Sequence, residues 1–151
     1  TFIIFTKTNS DTNGRIINQM IDHYIRKNYK KSVGFTSLGQ LRYLSALKYV
    51  DIIIGNSSSG LTEAPSFKIA TINIGDRQKG RIAADSVINC LPKKQSITKS
   101  IKYAYSKKFQ KILKGVKNPY DNGSSSEKIV KIIKNIKLEN ILKKKFNDLI
   151  I

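Results

Sequence analysis

Short apolar runs alternate along the chain with stretches in which apolar residues recur every three or four positions. The apolar runs predict five strands, over 1–6, 32–36, 51–55, 70–74 and 86–91. The helical spacing between them predicts helices over 13–28, 39–49 and 61–67. In the helix over 39–49 we expect four side chains to face inward: Leu41, Leu44, Ala46 and Leu47. Buried, β-branched strands that alternate with helices predict the α/β class, with a parallel sheet covered by helices on both faces.

The last 55 or so residues have helical spacing throughout, with one break at 118–123. Pro119 and the Asn122-Gly123 pair in that break are strong turn signals. We therefore predict a domain over 1–118 and a helical extension over 119–151, which packs on the domain or leaves it. The first strand begins with no lead-in, and we expect the chain to be part of a longer protein.

Composition narrows the class of protein. With 151 residues, 40% of them apolar and 25% charged, the chain has the length and balance of one globular domain. No apolar run approaches the roughly 20 residues that cross a bilayer, and no signal-peptide pattern opens the chain. The single Cys90 excludes an internal disulfide and fits a cytoplasmic protein. One cysteine and one histidine predict no structural metal site, and we expect His23 to lie on the surface.

The formal net charge is +18, and residues 93–151 hold 16 of the 28 basic residues but only 4 of the 10 acidic ones. Such a surplus is compatible with nucleic-acid or membrane contact. It is more often typical of solvated helix faces in a lysine-rich protein. We favour solvated faces, and predict neither a nucleic-acid nor a membrane partner.

The sequence GNSSSG, at 55–60, follows the predicted strand over 51–55. In a doubly wound sheet, ligands bind beyond the carboxyl ends of the strands. Small residues let a ligand approach the backbone, hydroxyl groups donate hydrogen bonds, and free N–H groups at a helix start favour anions. A helix cap alone would need one serine rather than three. The pattern therefore favours a phosphate site.

Two further stretches leave neighbouring strands. The sequence IGDRQKGR, at 74–81, carries Arg77 and Arg81, which could clamp a diphosphate; the alternative is a charged surface turn. In FTSLGQLRYL, at 35–44, Tyr43 could cover a base ring or pack in the core. Neither a Walker-type lysine loop nor GxGxxG occurs, so the sequence supports neither P-loop hydrolysis nor ordinary dinucleotide binding.

The combination of NSSSG, EAPS and INIGDRQKGR, with TNSDTNGR before it and NPYDNGSSSEKIV after it, resembles one enzyme family. It is similar to the carboxy-terminal half of the UDP-N-acetylglucosamine 2-epimerases, in their hydrolysing branch, which makes N-acetylmannosamine for sialic-acid synthesis. The resemblance covers about residues 1–130. It implies a Rossmann-like domain over 1–118 that binds UDP, as the second half of a glycosyltransferase-B type fold.

The family's roles fall on matching positions of this chain. The resemblance implies that Ser57 and Ser58, with the backbone of Ser59–Gly60, contact the diphosphate, and that Glu63 binds the ribose hydroxyls. It also implies a uracil site at Leu38 and Tyr43, and phosphate contacts from Arg77 and Arg81, of which Arg77 is typical of the hydrolysing branch. The family reaction eliminates UDP from the sugar and then hydrates the resulting glycal. It needs no cofactor.

The chain departs from the family at Lys68 and Ala70, where glycine and proline are common. The family's acid and base carboxylates belong to the amino-terminal domain, so the resemblance implies that this chain is inactive alone. The implied partners are UDP, a UDP-N-acetylhexosamine, the amino-terminal domain and, as an option, a second copy of the chain.

Three alternatives stay open at this point. The substrate of the same reaction could be a diacetamido-trideoxy sugar nucleotide. The chain could be the donor-nucleotide domain of a glycosyltransferase with the same fold. It could also be a basic nucleic-acid-binding module, an interpretation that rests on charge alone.

Overall fold

A computed structural model describes residues 1–8, 13–121 and 123–137. Its strands are β1 (Ile3–Thr6), β2 (Ser32–Phe35), β3 (Ile52–Gly55), β4 (Ala70–Ile74) and β5 (Val87–Cys90). Its helices are α1 (Gly14–Lys27), α2 (Gly39–Ala46), α3 (Ser59–Thr62), α4 (Lys94–Ala104), α5 (Lys107–Gly115) and α6 (Ser125–Asn135). A 3₁₀ turn over Ala64–Phe67 follows α3. The part of the predicted helical extension beyond residue 137 lies outside the described residues.

All strand pairs in the described chain are parallel, and helices alternate with the strands along the chain. The predicted α/β class and Rossmann-like character are confirmed. The strands form two sheets rather than one, in the orders β1-β2 and β3-β4-β5. A single sheet was expected because strands and helices alternate along the sequence. Apolar periodicity identifies each strand but does not determine which strand it pairs with.

The three-stranded sheet carries helices on both faces. On one face, α4 and α5 pack against the start of β4 and enclose the main buried cluster of Ala70, Ala104, Phe109 and Leu113. On the other face, α3 lies against Thr71 of the same strand, whose hydroxyl donates to the carbonyl oxygen of Gly60 at 2.9 Å. Because residues alternate between faces along a strand, β4 is buried on both sides.

The helix predicted over 61–67 begins earlier and is divided. The N–H groups of Leu61 and Thr62 both donate to the carbonyl oxygen of Ser58, so the first turn starts at Ser59. Pro65 has no N–H to donate to the carbonyl of Leu61, four residues before it, and the α-helix therefore ends at Thr62. The chain continues as the 3₁₀ turn.

Helix α2 is shorter than predicted, because its end tightens into turns from Lys48 to Ser45 and from Tyr49 to Ala46. Leu47 is buried, with 2% of its surface exposed. The prediction that Leu41 faces inward is wrong, since Leu41 is 81% exposed. At about 100° per residue, Leu41 lies some 120° around the helix axis from Leu47.

The two departures from the family pattern fit the local backbone. Lys68 adopts a left-handed conformation, with φ of 56°, a region that glycine enters at less cost. Ala70 is fully buried and begins β4 normally. The strand geometry at this position is therefore intact.

Helix α6 has an apolar side that remains exposed among the described residues, formed by Ile129, Val130, Ile132 and Ile133. Ile136, directly after the helix, is also exposed. None of the helices in the described ranges is long and apolar enough to cross a membrane.

Candidate functional site

The candidate site lies where β3 and β4, which are hydrogen-bonded neighbours, end at the same edge of their sheet. The segment 56–58 leaves β3, and the segment 75–82 leaves β4. Gly75 has φ of 78°, which lets the chain turn sharply at the end of β4. Both predicted phosphate-binding stretches therefore emerge side by side.

The segment 56–58, called the serine loop below, presents hydrogen-bond donors that have no partner in the described part of the chain. Ser57 and Ser58 are exposed, and within the described residues their backbone N–H groups have no hydrogen-bond partner. The Ser57 hydroxyl accepts a long bond, 3.4 Å, from the N–H of Ser59. Since α3 has one turn only, the local N–H groups and hydroxyls are the donors for an anion here, rather than a long helix dipole.

Gly60 brings this loop close to the sheet. A Cβ atom added at Gly60 would lie 2.5 Å from Cγ2 of Thr71, which is a buried, β-branched side chain on β4. Even an alanine would therefore push the loop away from the strand.

Tyr43, Ser59 and Glu63 meet beside the serine loop. The hydroxyl groups of Tyr43 and Ser59 are hydrogen-bonded, which connects α2 to α3. Burial raises the pKa of the Tyr43 hydroxyl above its ordinary value; the bond to Ser59 opposes this rise, and the charge of the nearby Glu63 adds to it. Glu63 is half-buried, and its backbone N–H donates to the carbonyl oxygen of Ser59 at 3.0 Å, which places it one turn after Ser59 on the same segment.

The segment 75–82, called the arginine loop below, carries the two predicted arginines on its solvent-exposed side. Arg77 and Arg81 are exposed, and neither forms an ion pair within the described residues. Backbone bonds from Lys79 to Asp76 and from Arg81 to Gln78 shape this loop into consecutive turns. Gln78 points inward and donates from Nε2 to the carbonyl oxygen of Asn56 at 2.7 Å. The two loops are therefore connected directly.

Sequence reasoning missed three polar residues that hold the site together. Gln78 is the first, and the other two belong to NPY, which was interpreted as a break between helices and as part of the family resemblance, with no role at the site. Asn118 donates to the carbonyl oxygen of Thr62 at 2.8 Å and to the hydroxyl of Ser66 at 2.7 Å. The Tyr120 hydroxyl donates to the carbonyl oxygen of Ile82 at 2.9 Å. Amide and hydroxyl side chains beside turn signals were the available clue.

The remaining predicted residue, Leu38, is half-buried just before α2. Within the described chain no side-chain bond connects it to the serine loop. The structure therefore connects Tyr43 with Ser59 and Glu63 and joins the loops that carry Ser57 and Arg77. Leu38 lies at the start of α2, the helix that carries Tyr43.

An open cleft of about 470 Å³ lies elsewhere, between the start of β5 and helices α4 and α5. Its lining is largely apolar and includes Val87, Tyr103 and Phe109. It adjoins the amino-terminal end of β5, opposite to the edge that carries the serine loop. In the described ranges, no group of three histidine, cysteine or acidic side chains is placed to hold a metal ion.

The chain is similar to known proteins over most of its length. Residues 1–134 match the family described as UDP-N-acetylglucosamine 2-epimerase. A Campylobacter jejuni protein named GDP/UDP-N,N'-diacetylbacillosamine 2-epimerase (hydrolyzing) is 45% identical over 148 residues, which is 97% of this chain and 38% of that protein. The Escherichia coli polysialic acid biosynthesis protein P7 is 41% identical over 150 residues, 97% of this chain and 37% of that protein.

A Neisseria meningitidis UDP-N-acetylglucosamine 2-epimerase is 31% identical over 149 residues, which is 97% of this chain and 38% of that protein. The chain thus spans well under half the length of the relatives that it matches. The family match covers most of the chain, including both loops of the candidate site. The chain belongs to the UDP-N-acetylglucosamine 2-epimerase family.

Proposed function

We propose that this chain is the UDP-binding, carboxy-terminal part of a hydrolysing 2-epimerase that converts UDP-N-acetylglucosamine to N-acetylmannosamine and UDP. The observation that carries the proposal is the meeting of Tyr43, Ser59 and Glu63 beside a serine loop with free N–H groups. Family membership favours this function over a glycosyltransferase donor domain or a nucleic-acid-binding module.

In this proposal each part of the nucleotide has its own partner. The N–H and hydroxyl groups of Ser57 and Ser58, with the backbone of Ser59–Gly60, bind the diphosphate oxygens. Arg77 and Arg81 have no competing ion pair in the described chain, so their guanidinium groups are available to the same oxygens.

The nucleoside lies on the other side of the serine loop. The Glu63 carboxylate, acting only as an acceptor, takes hydrogen bonds from the ribose hydroxyls. Tyr43 and the backbone of Leu38 line the uracil. The exposed arginines and half-buried Glu63 are thus divided between the anionic and the hydroxyl-bearing parts of the ligand.

The chemical role of this part is to stabilise the leaving group. When UDP departs, negative charge grows on the β-phosphate as the glycosidic C–O bond breaks. A guanidinium group and fixed N–H donors interact more strongly with that growing charge than with the ground state, and so lower the barrier. The acid and base groups come from the rest of the protein, and this chain alone is inactive.

Calorimetry with the 151-residue chain tests nucleotide recognition. UDP should bind more tightly than UMP, because the serine loop and both arginines address the second phosphate. Glu63→Ala should weaken UDP binding by about 1.5–3 kcal/mol, the range for hydrogen bonds to charged groups. It should have much less effect on a 2′,3′-dideoxy analogue of UDP.

Glu127→Ala, which removes an exposed carboxylate from the first turn of α6, is the matched control and should leave UDP affinity unchanged. Equal affinities for UDP and UMP would refute the diphosphate assignment. If Glu63→Ala weakened the binding of UDP and of its 2′,3′-dideoxy analogue equally, Glu63 would have a structural role only.

Turnover is measured in the full-length enzyme. Arg77→Ala should lower turnover by about 100-fold or more, as expected for the loss of one donor to a developing oxyanion. Arg26→Ala on α1 is the control for loss of an arginine far from these loops. A raised Michaelis constant with unchanged turnover would mean that Arg77 binds the ground and transition states equally. Activity of the 151-residue chain alone would refute the need for the rest of the protein.

A second substrate is favoured by one specific observation. The Campylobacter jejuni relative, at 45% identity, is named for N,N'-diacetylbacillosamine, and so is a Legionella pneumophila relative at 32% identity. The uridine and diphosphate contacts proposed here are the same for both sugars. Comparing kcat/KM of the full-length enzyme for the two UDP-sugars decides between them.

A further inference from the structure

Gln78 is the only buried residue of the segment 75–82, with 6% of its surface exposed. The two arginines on either side of it point to solvent. A glutamine is rarely buried without a hydrogen-bonding reason, because an unpaired polar group loses its hydration. The position of this side chain therefore calls for a specific partner.

The amide nitrogen of Gln78 finds its partner on the serine loop. Nε2 of Gln78 donates to the carbonyl oxygen of Asn56 at 2.7 Å. The amide oxygen, Oε1, is buried and has no partner among the described residues. The single bond to Asn56 is thus the only polar contact that holds this amide group in the described structure.

The carbonyl of Asn56 and the N–H of Ser57 belong to one peptide group. Because the peptide group is planar and trans, fixing the direction of the carbonyl also fixes the direction of the N–H on its opposite side. A hydrogen bond to the carbonyl also polarises the peptide, which strengthens the N–H as a donor. The N–H of Ser57 has no partner within the described residues and is one of the donors assigned above to the diphosphate.

We propose that Gln78 is a positioning residue, which orients the Asn56–Ser57 peptide group so that the N–H of Ser57 addresses the diphosphate. The proposal rests on the function proposed above and adds a residue to it. It also explains how the arginine loop and the serine loop keep a common geometry, since the residue between Arg77 and Arg81 sets a donor on the other loop.

Two variants remove the contact in different ways. Gln78→Met keeps the length and nearly the volume of the side chain but has no donor. Gln78→Asn keeps the amide group but is one methylene shorter and cannot reach Asn56 in the same backbone geometry. The control is Gln110→Met, because Gln110 also donates from Nε2 to a backbone carbonyl, that of Ala104, at 2.8 Å. Gln110 lies on α5, away from both loops.

Ligand affinity is measured by calorimetry for UDP and for uridine, which lacks phosphate. Both Gln78 variants should bind UDP about five- to tenfold more weakly, the loss expected for one net hydrogen bond, and bind uridine within twofold of the unaltered chain. Gln110→Met should change neither affinity. Equal losses for UDP and uridine would overturn the proposal, because a general loosening of the site would lower both.

The second measurement needs no ligand. In ¹H–¹⁵N spectra, the resonance of the Ser57 amide should shift in both Gln78 variants, because its peptide group is reoriented and less polarised, and should remain unchanged in Gln110→Met. An unaltered Ser57 amide would overturn the proposal even if UDP affinity fell. If the unaltered chain fails to bind UDP, the proposed function is refuted, while the amide measurement still decides whether Gln78 orients the loop.

Discussion

The two sheets of the molecule differ in how they are covered. In the first region, β1, α1 and β2, the strands are largely half-exposed, and apolar residues of α1 face solvent, with Met20 68% exposed. In the second region, β3 to β5 with α3 to α5, the middle strand β4 has a neighbour on each side and a helix on each face. Only the second region has a closed apolar cluster among the described residues.

The candidate site lies on the sheet that is covered on both faces, where packing can hold a binding site rigidly. The loops that carry Ser57 and Arg77 leave adjacent strands of the well-covered sheet. Gln78 connects the two loops, and Tyr120 holds the end of the loop after β4. A loop is positioned only as accurately as the strand from which it starts. Among the described residues, none of the side chains assigned to the candidate site comes from β1, α1 or β2.

The largest expected effect is on the core. Phe109 is 2% exposed, and its ring centroid lies 5.0 Å from that of Tyr103. Phe109→Ala should lower the free energy of unfolding by about 3–5 kcal/mol, as for other buried aromatic truncations. Phe5→Ala removes a half-buried ring that touches Tyr24 in the first region, and should cost about 1–2 kcal/mol. Urea unfolding measures both, and equal losses would contradict the comparison.

The next effect concerns two glycines, one in each region. Gly60→Ala should destabilise the fold by about 1–3 kcal/mol, because the new methyl group meets the rigid Thr71 side chain. In Gly34→Ala the nearest atom is the flexible end of Ile25, so the change should stay within about 0.5 kcal/mol.

Thr71→Ser provides the rescue for Gly60→Ala. Serine lacks the Cγ2 methyl group but keeps the hydroxyl that donates to Gly60. The double variant should recover most of the loss in thermal unfolding. An unrelieved loss would mean that the backbone of Gly60, rather than the contact with Thr71, is responsible.

The smallest effect compares two asparagines that donate to backbone carbonyls. Asn118 reaches across the sequence to Thr62 and Ser66, whereas Asn28 donates at 2.9 Å to Tyr24 of its own helix. Asn118→Ala should cost about 1–1.5 kcal/mol of stability and increase amide exchange around Glu63, while Asn28→Ala should cost about 0.5 kcal/mol. Thermal unfolding with hydrogen exchange measures both. Unchanged exchange near Glu63 would remove Asn118 from the support of the site.

The sequence predicted the elements well where periodicity alone decides. All five strands are found within two residues of their predicted bounds, and β4 matches its prediction fully. Runs rich in isoleucine and valine, separated by turn residues, leave little choice but a strand. The burial expected of all the strands is found chiefly in β4. The break between the last helices is also found, between α5 and α6.

The failures come from geometry that a linear pattern does not contain. Leu41 has an apolar side chain at an acceptable spacing, yet the short α2 turns it away from the sheet. Pro65 ends α3 through its missing N–H, an effect that the apolar spacing over 61–67 concealed. Strand pairing depends on contacts across the fold, and the expected single sheet is two sheets in the described chain.

The candidate site was predicted in the same uneven way. Glycines, serines and arginines after strands indicated the ligand-facing residues, whose roles remain predictions. Gln78 and Asn118 lie in stretches that carry the family resemblance, but their supporting roles were not predicted, because their partners are backbone carbonyls 22 and 56 residues distant in sequence. Such partners cannot be found from local spacing.

The division of the strands into two sheets has a consequence for the solubility of the isolated chain. In the described structure, β1 pairs only with β2, and β3 only with β4, so each has one edge free to add a strand from another molecule. The net charge of +18 keeps copies apart when little salt is present. At an ionic strength of about 0.1 M, repulsion is screened beyond roughly 10 Å, and copies can approach closely enough for their edges to pair. Purification in low salt should therefore keep this chain dispersed, whereas salting it should promote precipitation.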